Sequence, residues 1–123
     1  PDVTLCVAND PALADLGGIL DKPPRQPGWP RLIDPANPAT IQTAGYFDSI
    51  FFARRISCET HLTSGLTDTA CPSTGVCIVY HSLKGKKNII HSQKGHCGTR
   101  NTTGEKRIEE IVREAAKQFG EKK

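Results

Sequence analysis

Five cysteines in a chain of 123 residues are the feature that most constrains how this sequence can fold. Cysteine at this density is typical of secreted domains, in which disulfides supplement a small hydrophobic core. We therefore predict two intramolecular disulfides and one remaining thiol, with Cys71–Cys77 or Cys58–Cys71 as local pairs. The sequence alone leaves the connectivity open. The disulfide candidates are Cys6, Cys58, Cys71, Cys77 and Cys97.

Composition and charge narrow the class of protein. Hydrophobic residues make up 37% and charged residues 24% of the chain, which excludes a membrane span and a disordered polyelectrolyte. The net charge of +3 is lower than general nucleic-acid binding usually requires, so no nucleic-acid partner is expected. Methionine is absent, even at position 1, and we expect a segment trimmed from a longer precursor. Asn101 begins the one glycosylation sequon, which agrees with an extracellular location.

Strand-like runs alternate with turn residues along most of the chain. Val3–Ala8 and the aromatic run Tyr46–Cys58 favour strands, the second of them central to the core. The pattern of a β-hairpin is found in Val76–Leu83, the glycine turn at 84–87 and residues 88–91. Residues 59–75, rich in Thr, Ser and Gly, indicate a loop.

Two other segments complete the predicted fold. Residues 21–40 hold six of the nine prolines and predict a long ordered loop that carries Trp29. Residues from Glu105 to Phe119 place apolar side chains along one stripe and predict an amphipathic helix that ends at Gly120. Asp10-Pro11 can begin a further short helix. We predict one α+β domain over residues 1–123, a disulfide-stapled antiparallel sheet or sandwich with long loops and one C-terminal helix.

No local motif points to catalysis. The chain has no Gly-x-Ser-x-Gly elbow, Cys-x-x-Cys or His-Glu-x-x-His pattern. A Cys97–His96 pair and a ribonuclease-type site without a local signature remain open alternatives, yet we expect no enzymatic activity and no cofactor. Five side chains crowd the region of the expected hairpin without a recognised zinc spacing, so no metal is expected either. They are Cys77, His81, His91, His96 and Cys97.

The second half of the chain resembles a known family. Two segments carry the resemblance. The first is Cys58-Glu-Thr-His-Leu-Thr-Ser-Gly-Leu-Thr-Asp-Thr-Ala-Cys71-Pro-Ser-Thr-Gly-Val-Cys77-Ile-Val-Tyr, and the second, further along the chain, is Glu105-Lys-Arg-Ile-Glu-Glu-Ile-Val112. This pattern resembles the N-terminal part of a retroviral envelope surface subunit of the gamma or type-D kind, the group that includes the syncytins. The helix is also similar to one in lentiviral surface subunits.

The resemblance implies a receptor-binding domain on a virion or cell surface. Its partners would be a host multipass membrane receptor, with a solute transporter as one candidate, and the fusion subunit of the same envelope. The alternatives are a secreted cysteine-rich effector or toxin with small-hydrolase activity, and a structural or glycan-binding module that uses the basic turn. The residues expected to contact the receptor are Trp29, Lys84, Lys86, Lys87, Ser92, Gln93, Lys94, His96 and Arg100.

Overall fold

A computed structural model describes residues 3–22, 33–96 and 103–120, and these contain three strands, four α-helices and one short 3₁₀ helix. The predicted positions Trp29, Cys97, Arg100 and Asn101 lie outside the described residues. In chain order the elements are β1 (Leu5–Asn9), the 3₁₀ helix (Leu16–Leu20), α1 (Pro38–Phe47), α2 (Ser49–Ala53), β2 (Glu59–Gly65), α3 (Ser73–Ser82), β3 (Lys87–Ser92) and α4 (Thr103–Gly120).

The three strands form a parallel sheet in the order β1-β2-β3. Leu5 pairs with Glu59 on one side of β2, and Thr60 pairs with Lys87 on the other. Because parallel neighbours need a crossover, α3 joins β2 to β3, while the 3₁₀ helix, α1 and α2 lie between β1 and β2. The predicted antiparallel sheet is therefore wrong.

Helices cover both faces of this sheet. Leu62 of β2 is 2% exposed and packs with residues of α2 and α3. The next residue back, His61, faces the other side, where it lines a groove with Ile111 of α4. The arrangement is a layer of helices on each face of a parallel sheet. The main core comprises Ala14, Ile50, Ala53, Leu62, Val76, Val79 and Leu83.

Two segments have secondary structure opposite to the predicted one. The predicted strand Val76–Leu83 is mostly helix α3, with Val76 and Val79 buried on one side. The predicted loop 59–75 contains β2, whose Thr60, Thr63 and Ser64 are buried with at most 1% exposure. A short apolar run does not distinguish a strand from a buried helix, and small hydroxyl side chains fit a strand that is covered on both faces.

The aromatic run and the glycine turn are also placed differently from the prediction. Tyr46–Cys58 contains the end of α1 and all of α2, and Tyr46 and Phe52 are more than half exposed. Gly85 does not close a hairpin. A Cβ atom there would collide with the carbonyl oxygens of Ser57 and Cys58, so glycine permits the close approach of two loops.

Other local predictions agree with the structure. β1 overlaps the strand expected at Val3–Ala8, and α4 covers the helix expected from Glu105 to Phe119, with Ile108 and Ile111 buried. The helix expected at Asp10-Pro11 begins only at Leu16 and is a 3₁₀ helix. The single-domain organisation over residues 1–123 stays a prediction.

No disulfide joins any two of the four cysteines within the described ranges. Cys6, Cys58 and Cys77 are half-buried, whereas Cys71 is buried. The predicted stapling is therefore wrong for these residues, and the core and the parallel ladder hold the fold instead.

Among the described helices, none is both long enough and apolar enough to cross a lipid bilayer.

Asp48 joins the segment after β1 to helix α2. Its buried carboxylate accepts hydrogen bonds from the backbone N–H groups of Asp15 at 3.2 Å, Leu16 at 2.8 Å and Ile50 at 3.0 Å. The bond from Ile50 caps α2, since an Asp side chain satisfies an unpaired N–H at a helix start.

Replacing this carboxylate tests how much of the fold depends on it. We expect Asp48→Ala to lower the free energy of unfolding by about 2–4 kcal/mol, because three buried N–H groups lose their acceptor. Asp34→Ala is the matched control, since exposed Asp34 accepts one bond, from the N–H of Ala36, and its loss should cost at most about 1 kcal/mol. Urea denaturation of both variants measures the difference, and equal losses would contradict the role given to Asp48.

Candidate active site

Polar side chains gather at the edge of the sheet where the parallel strands end. Asp10 follows β1, Asp68 lies three residues after β2, and His96 lies four residues after β3. In open sheets of parallel strands, ligands bind in the crevice outside the carboxyl ends of the strands. This edge of the sheet is therefore the candidate functional site.

Asp68 is a fully buried carboxylate with three hydrogen-bond donors. Its Oδ1 accepts from the backbone N–H groups of Ala70 at 2.8 Å and Cys71 at 2.9 Å. Its Oδ2 lies 2.8 Å from Nδ1 of His96, and the Asp68 side chain has 0% exposure. The backbone of the β2–α3 loop thus fixes the carboxylate in one orientation.

The surroundings of Asp68 favour its ionised form. Burial by itself raises the pKa of this carboxyl, but the bonds from the Cys71 N–H, the His96 ring and the Ala70 N–H outweigh burial and lower the pKa below its ordinary value. Asp68 is therefore negatively charged at neutral pH and accepts a hydrogen bond from Nδ1–H of His96. In the neutral form of the ring, that bond leaves Nε2 of His96 as the nitrogen with a lone pair.

The two loops that carry this pair are held together by their backbones. The N–H of Leu66 donates to the carbonyl oxygen of Ser92 at 2.8 Å, which continues the β2–β3 pairing beyond the strands. A Cβ atom on Gly65 would lie 2.5 Å from the carbonyl oxygen of Gly95 and 2.8 Å from that of Lys94. Only glycine at position 65 lets the 93–96 loop pass this closely over the end of β2.

Asp68 and His96 form the arrangement that orients a general base. A buried carboxylate that binds one imidazole nitrogen selects the tautomer whose other nitrogen can remove a proton from a nucleophile. The His96 side chain is 51% exposed, so Nε2 is accessible from the carboxyl edge of the sheet.

Comparison with known proteins shows the family to which the chain belongs. The model of the acetyl xylan esterase family (AXE1) matches residues 33–111, well over half of the chain. The chain belongs to this family. The acetyl esterase Axe7A of Xylanibacter ruminicola is 40% identical over 106 residues, a match that covers 83% of this chain. That match covers 24% of the relative, so the chain spans about a quarter of its length.

Solved structures agree on the fold. Acetyl xylan esterase 1 from Thermoanaerobacterium sp. JW/SL YS485 superposes with a TM-score of 0.64 and 27% identity, over 80% of this chain and 34% of its own. The acetyl xylan esterase from Paenibacillus sp. R4 superposes with a TM-score of 0.68 and 23% identity, over 91% of this chain and 37% of its own. The parallel sheet with helices on both faces is thus part of an α/β-hydrolase-like fold.

Membership in the acetyl xylan esterase family overturns the envelope hypothesis. The resemblance to a retroviral surface subunit was wrong, as were the keywords of viral entry and fusion that followed from it. The host membrane receptor and the fusion subunit are wrong as partners, and the expectation of no enzymatic activity is wrong for a family of esterases. Acetyl xylan esterases are typically extracellular, so the predicted location holds in that coarse form, without a virion or envelope.

The residues expected to contact a receptor fall into two separate groups where the structure describes them. Lys84, Lys86 and Lys87 lie before or at the start of β3, whereas Ser92, Gln93, Lys94 and His96 lie at or beyond its end. The two groups are therefore at opposite edges of the sheet.

The lysines of the first group make structural contacts. Lys86 Nζ lies 2.9 Å from Oε1 of Glu59, and the hydrogen bond from Lys86, followed by that from His61, lowers the pKa of Glu59. Lys87 Nζ donates to the carbonyl oxygen of Leu83 at 2.9 Å and lies over the ring of Tyr80. Lys86 thus connects the turn after α3 to β2, and Lys87 connects it to the end of α3.

In the second group, His96 makes the contact with Asp68 described above. Ser92 accepts a bond from the N–H of Lys94 through its hydroxyl at 3.1 Å, and the carbonyl of Gln93 accepts one from Thr67 at 3.4 Å. The side chains of Gln93 and Lys94 are exposed. These contacts shape the loop that holds His96 over Asp68.

Sequence reasoning named His96 but missed Asp68. The signal was present in Gly65-Leu-Thr-Asp68, where a buried strand ends in glycine and an acidic residue follows three positions later. The signal was lost because residues 59–75 were predicted to be a loop. In α/β-hydrolases the catalytic triad follows the chain order serine, acidic residue, histidine. Asp68 after one parallel strand and His96 after the next have the order of the last two members.

A glycine pair tests the close passage of the 93–96 loop. We expect Gly65→Ala to lower the free energy of unfolding by about 1–3 kcal/mol, because the added methyl group must displace backbone atoms. Gly45→Ala is the control, since a Cβ there meets no atom within 4 Å, and alanine inside α1 should stabilise by about 0.5–1 kcal/mol. Equal effects in urea denaturation would contradict the constraint at Gly65.

The ionisation of Asp68 gives stability a defined pH dependence. A carboxyl whose pKa is lowered on folding stabilises the fold above its ordinary pKa of about 3.9, and this contribution is lost as pH falls through the lowered value. The difference in unfolding free energy between the native chain and Asp68→Asn should be largest at neutral pH and shrink below about pH 4. Urea denaturation across this range measures it, and a constant difference would contradict the assignment.

Proposed function

We propose that this chain supplies the acid–base pair of a carboxylesterase site that hydrolyses acetyl esters. The observation that carries the proposal is the 2.8 Å contact between Oδ2 of Asp68 and Nδ1 of His96 at the carboxyl edge of the sheet. Membership in the acetyl xylan esterase family supports the reaction class. The hydrolase alternative named at the outset fits this better than a receptor-binding domain does.

In the proposed mechanism His96 moves the proton and Asp68 holds His96. Nε2 of His96 takes the proton from a serine hydroxyl as that oxygen attacks the ester carbonyl, and then gives the proton to the departing alcohol. In the second half His96 activates water, which releases acetate from the acyl-enzyme. Asp68 stays ionised throughout and stabilises the imidazolium that forms in each step.

The serine nucleophile is not identified in this sequence. The 123 residues contain no Gly-x-Ser-x-Gly elbow, and α/β-hydrolases place the serine before the acid and the histidine in the chain. Asp68 and His96 correspond to the later two members of that order. We therefore assign the nucleophile to no serine of this chain, which matches only part of the length of its relatives.

The proposed substrate is an acetyl group on a xylan-type polysaccharide. The family and the two structural relatives carry acetyl xylan in their names, and the curated relative is an acetyl esterase. A small acyl group requires only a small acyl pocket, while the sugar chain can remain in solvent.

A chimera tests the proposal directly. The quarter of Xylanibacter ruminicola Axe7A that matches this chain is replaced by the corresponding residues of this chain, so that a complete esterase carries Asp68 and His96. We expect the chimera to release acetate from acetylated xylan and to hydrolyse 4-nitrophenyl acetate. Asp68→Asn should lower kcat by about 10⁴-fold, and His96→Ala by at least as much.

His91→Ala is the matched control for the chimera. His91 is exposed on β3, five residues before His96, and takes no part in the proposed chemistry, so its removal should leave kcat unchanged. A folded chimera that is inactive, or one whose activity survives both Asp68→Asn and His96→Ala, would overturn the proposal.

A further inference from the structure

The Asp68–His96 pair has a third neighbour that the proposed hydrolysis does not use. Cys71 is 6% exposed and lies at the end of the β2–α3 loop, one residue before Pro72. A carboxylate oxygen of Asp68, the Sγ atom of Cys71 and one ring nitrogen of His96 all lie within 4.8 Å of one another. No other such group of three His, Cys, Asp or Glu side chains is found in the described part of the chain.

These three donors match the preferences of a borderline-soft divalent cation. Zn²⁺ binds thiolate at about 2.3 Å, imidazole nitrogen at about 2.0–2.1 Å and carboxylate oxygen at about 2.0–2.2 Å. Donors around one tetrahedral ion therefore lie roughly 3–4 Å apart, as these bond lengths require. The present spacing needs only small side-chain rotations, and the backbone bonds to Asp68 already orient the carboxylate.

We propose that Asp68, Cys71 and His96 form a binding site for a thiophilic divalent cation of the Zn²⁺ class. The cation takes the place of the Nδ1 proton between Oδ2 of Asp68 and the His96 ring. The neutral ring then carries its proton on Nε2, and the Cys71 thiol releases one proton as it becomes a thiolate ligand. Three protein ligands leave a fourth position for water, on the side where His96 is exposed.

The consequence for catalysis rests on the proposed function. A cation on either ring nitrogen removes His96 as a base, because it either occupies Nε2 or breaks the bond through which Asp68 orients the ring. The same three side chains therefore form a site of inhibition by Zn²⁺ or Cd²⁺. Magnesium and calcium, which prefer oxygen ligands, should not bind.

The binding itself is tested on the 123-residue chain without any measurement of hydrolysis. Co²⁺ replaces Zn²⁺ as the probe, because a Co²⁺–thiolate bond gives a near-ultraviolet charge-transfer band and a tetrahedral site gives strong visible bands. We expect one Co²⁺ per chain, displaced by Zn²⁺ and not by Mg²⁺. Cys71→Ser should abolish the charge-transfer band and weaken Zn²⁺ binding more than about 100-fold. Loss of a residue that only hydrogen-bonds to a metal ligand already lowers metal affinity by about 10- to 100-fold.

Variants of two other thiols are the controls. Cys58→Ser and Cys77→Ser each remove a thiol outside the proposed set and should leave the band and the affinity unchanged. His96→Gln keeps the thiol and removes the ring nitrogen on an exposed side chain. It should retain a weakened thiolate band, and it tests the site even if Cys71→Ser does not fold.

Three outcomes would overturn the metal site. They are the absence of Co²⁺ binding to the folded native chain, a band that survives Cys71→Ser, and a band that is lost with Cys58→Ser or Cys77→Ser instead. Failure of the esterase chimera would leave these results untouched, because the spectra report the ligands and not the reaction.

Discussion

The parallel pairing of β2 with β3 is the constraint on which the candidate site depends. Parallel neighbours end at the same edge of a sheet, so the loops after β2 and β3 emerge side by side. Asp68 and His96 are thereby brought within 2.8 Å although 28 positions separate them in the chain. An antiparallel hairpin over the same residues would have placed these two loops at opposite edges. The crossover through α3 is thus a functional requirement as well as a feature of the fold.

A single buried carboxylate then determines the chemistry of that edge. Three donors hold Asp68 in one orientation and favour its ionised form despite burial. An ionised, oriented carboxylate makes the imidazole of His96 a directed base. With the sulfur of Cys71 added, the cluster offers the three ligands of the proposed cation site. The two proposals follow from one electrostatic arrangement, which suits a proton or a cation at the same point.

The comparison of sequence with structure shows where local patterns are informative. The apolar stripe of Glu105–Phe119 repeats at helical spacing, is followed by glycine, and is found in α4. The run Val76–Leu83 and the hydroxyl-rich 59–65 were assigned opposite structures, because both are buried elements without amphipathic periodicity. Cysteine density also gave a wrong prediction, since no disulfide joins any two of the four described cysteines. The wrong secondary structures of these two segments led to the prediction of an antiparallel fold. Because residues 59–75 were predicted to be a loop, Asp68 was not considered.

The sequence by itself determined two local elements, the amphipathic C-terminal helix and the first strand. It also showed that the chain has no Gly-x-Ser-x-Gly nucleophile elbow. It also contained the acidic residue and the histidine in triad order, but not their proximity. Only the tertiary structure decided that β2 is a central strand, that α3 is a crossover helix, and that Asp68, Cys71 and His96 share one edge. The physical reason is that burial on both faces removes the polar–apolar alternation from which strands are recognised. Contacts across the sheet depend on register, which no local window of sequence contains.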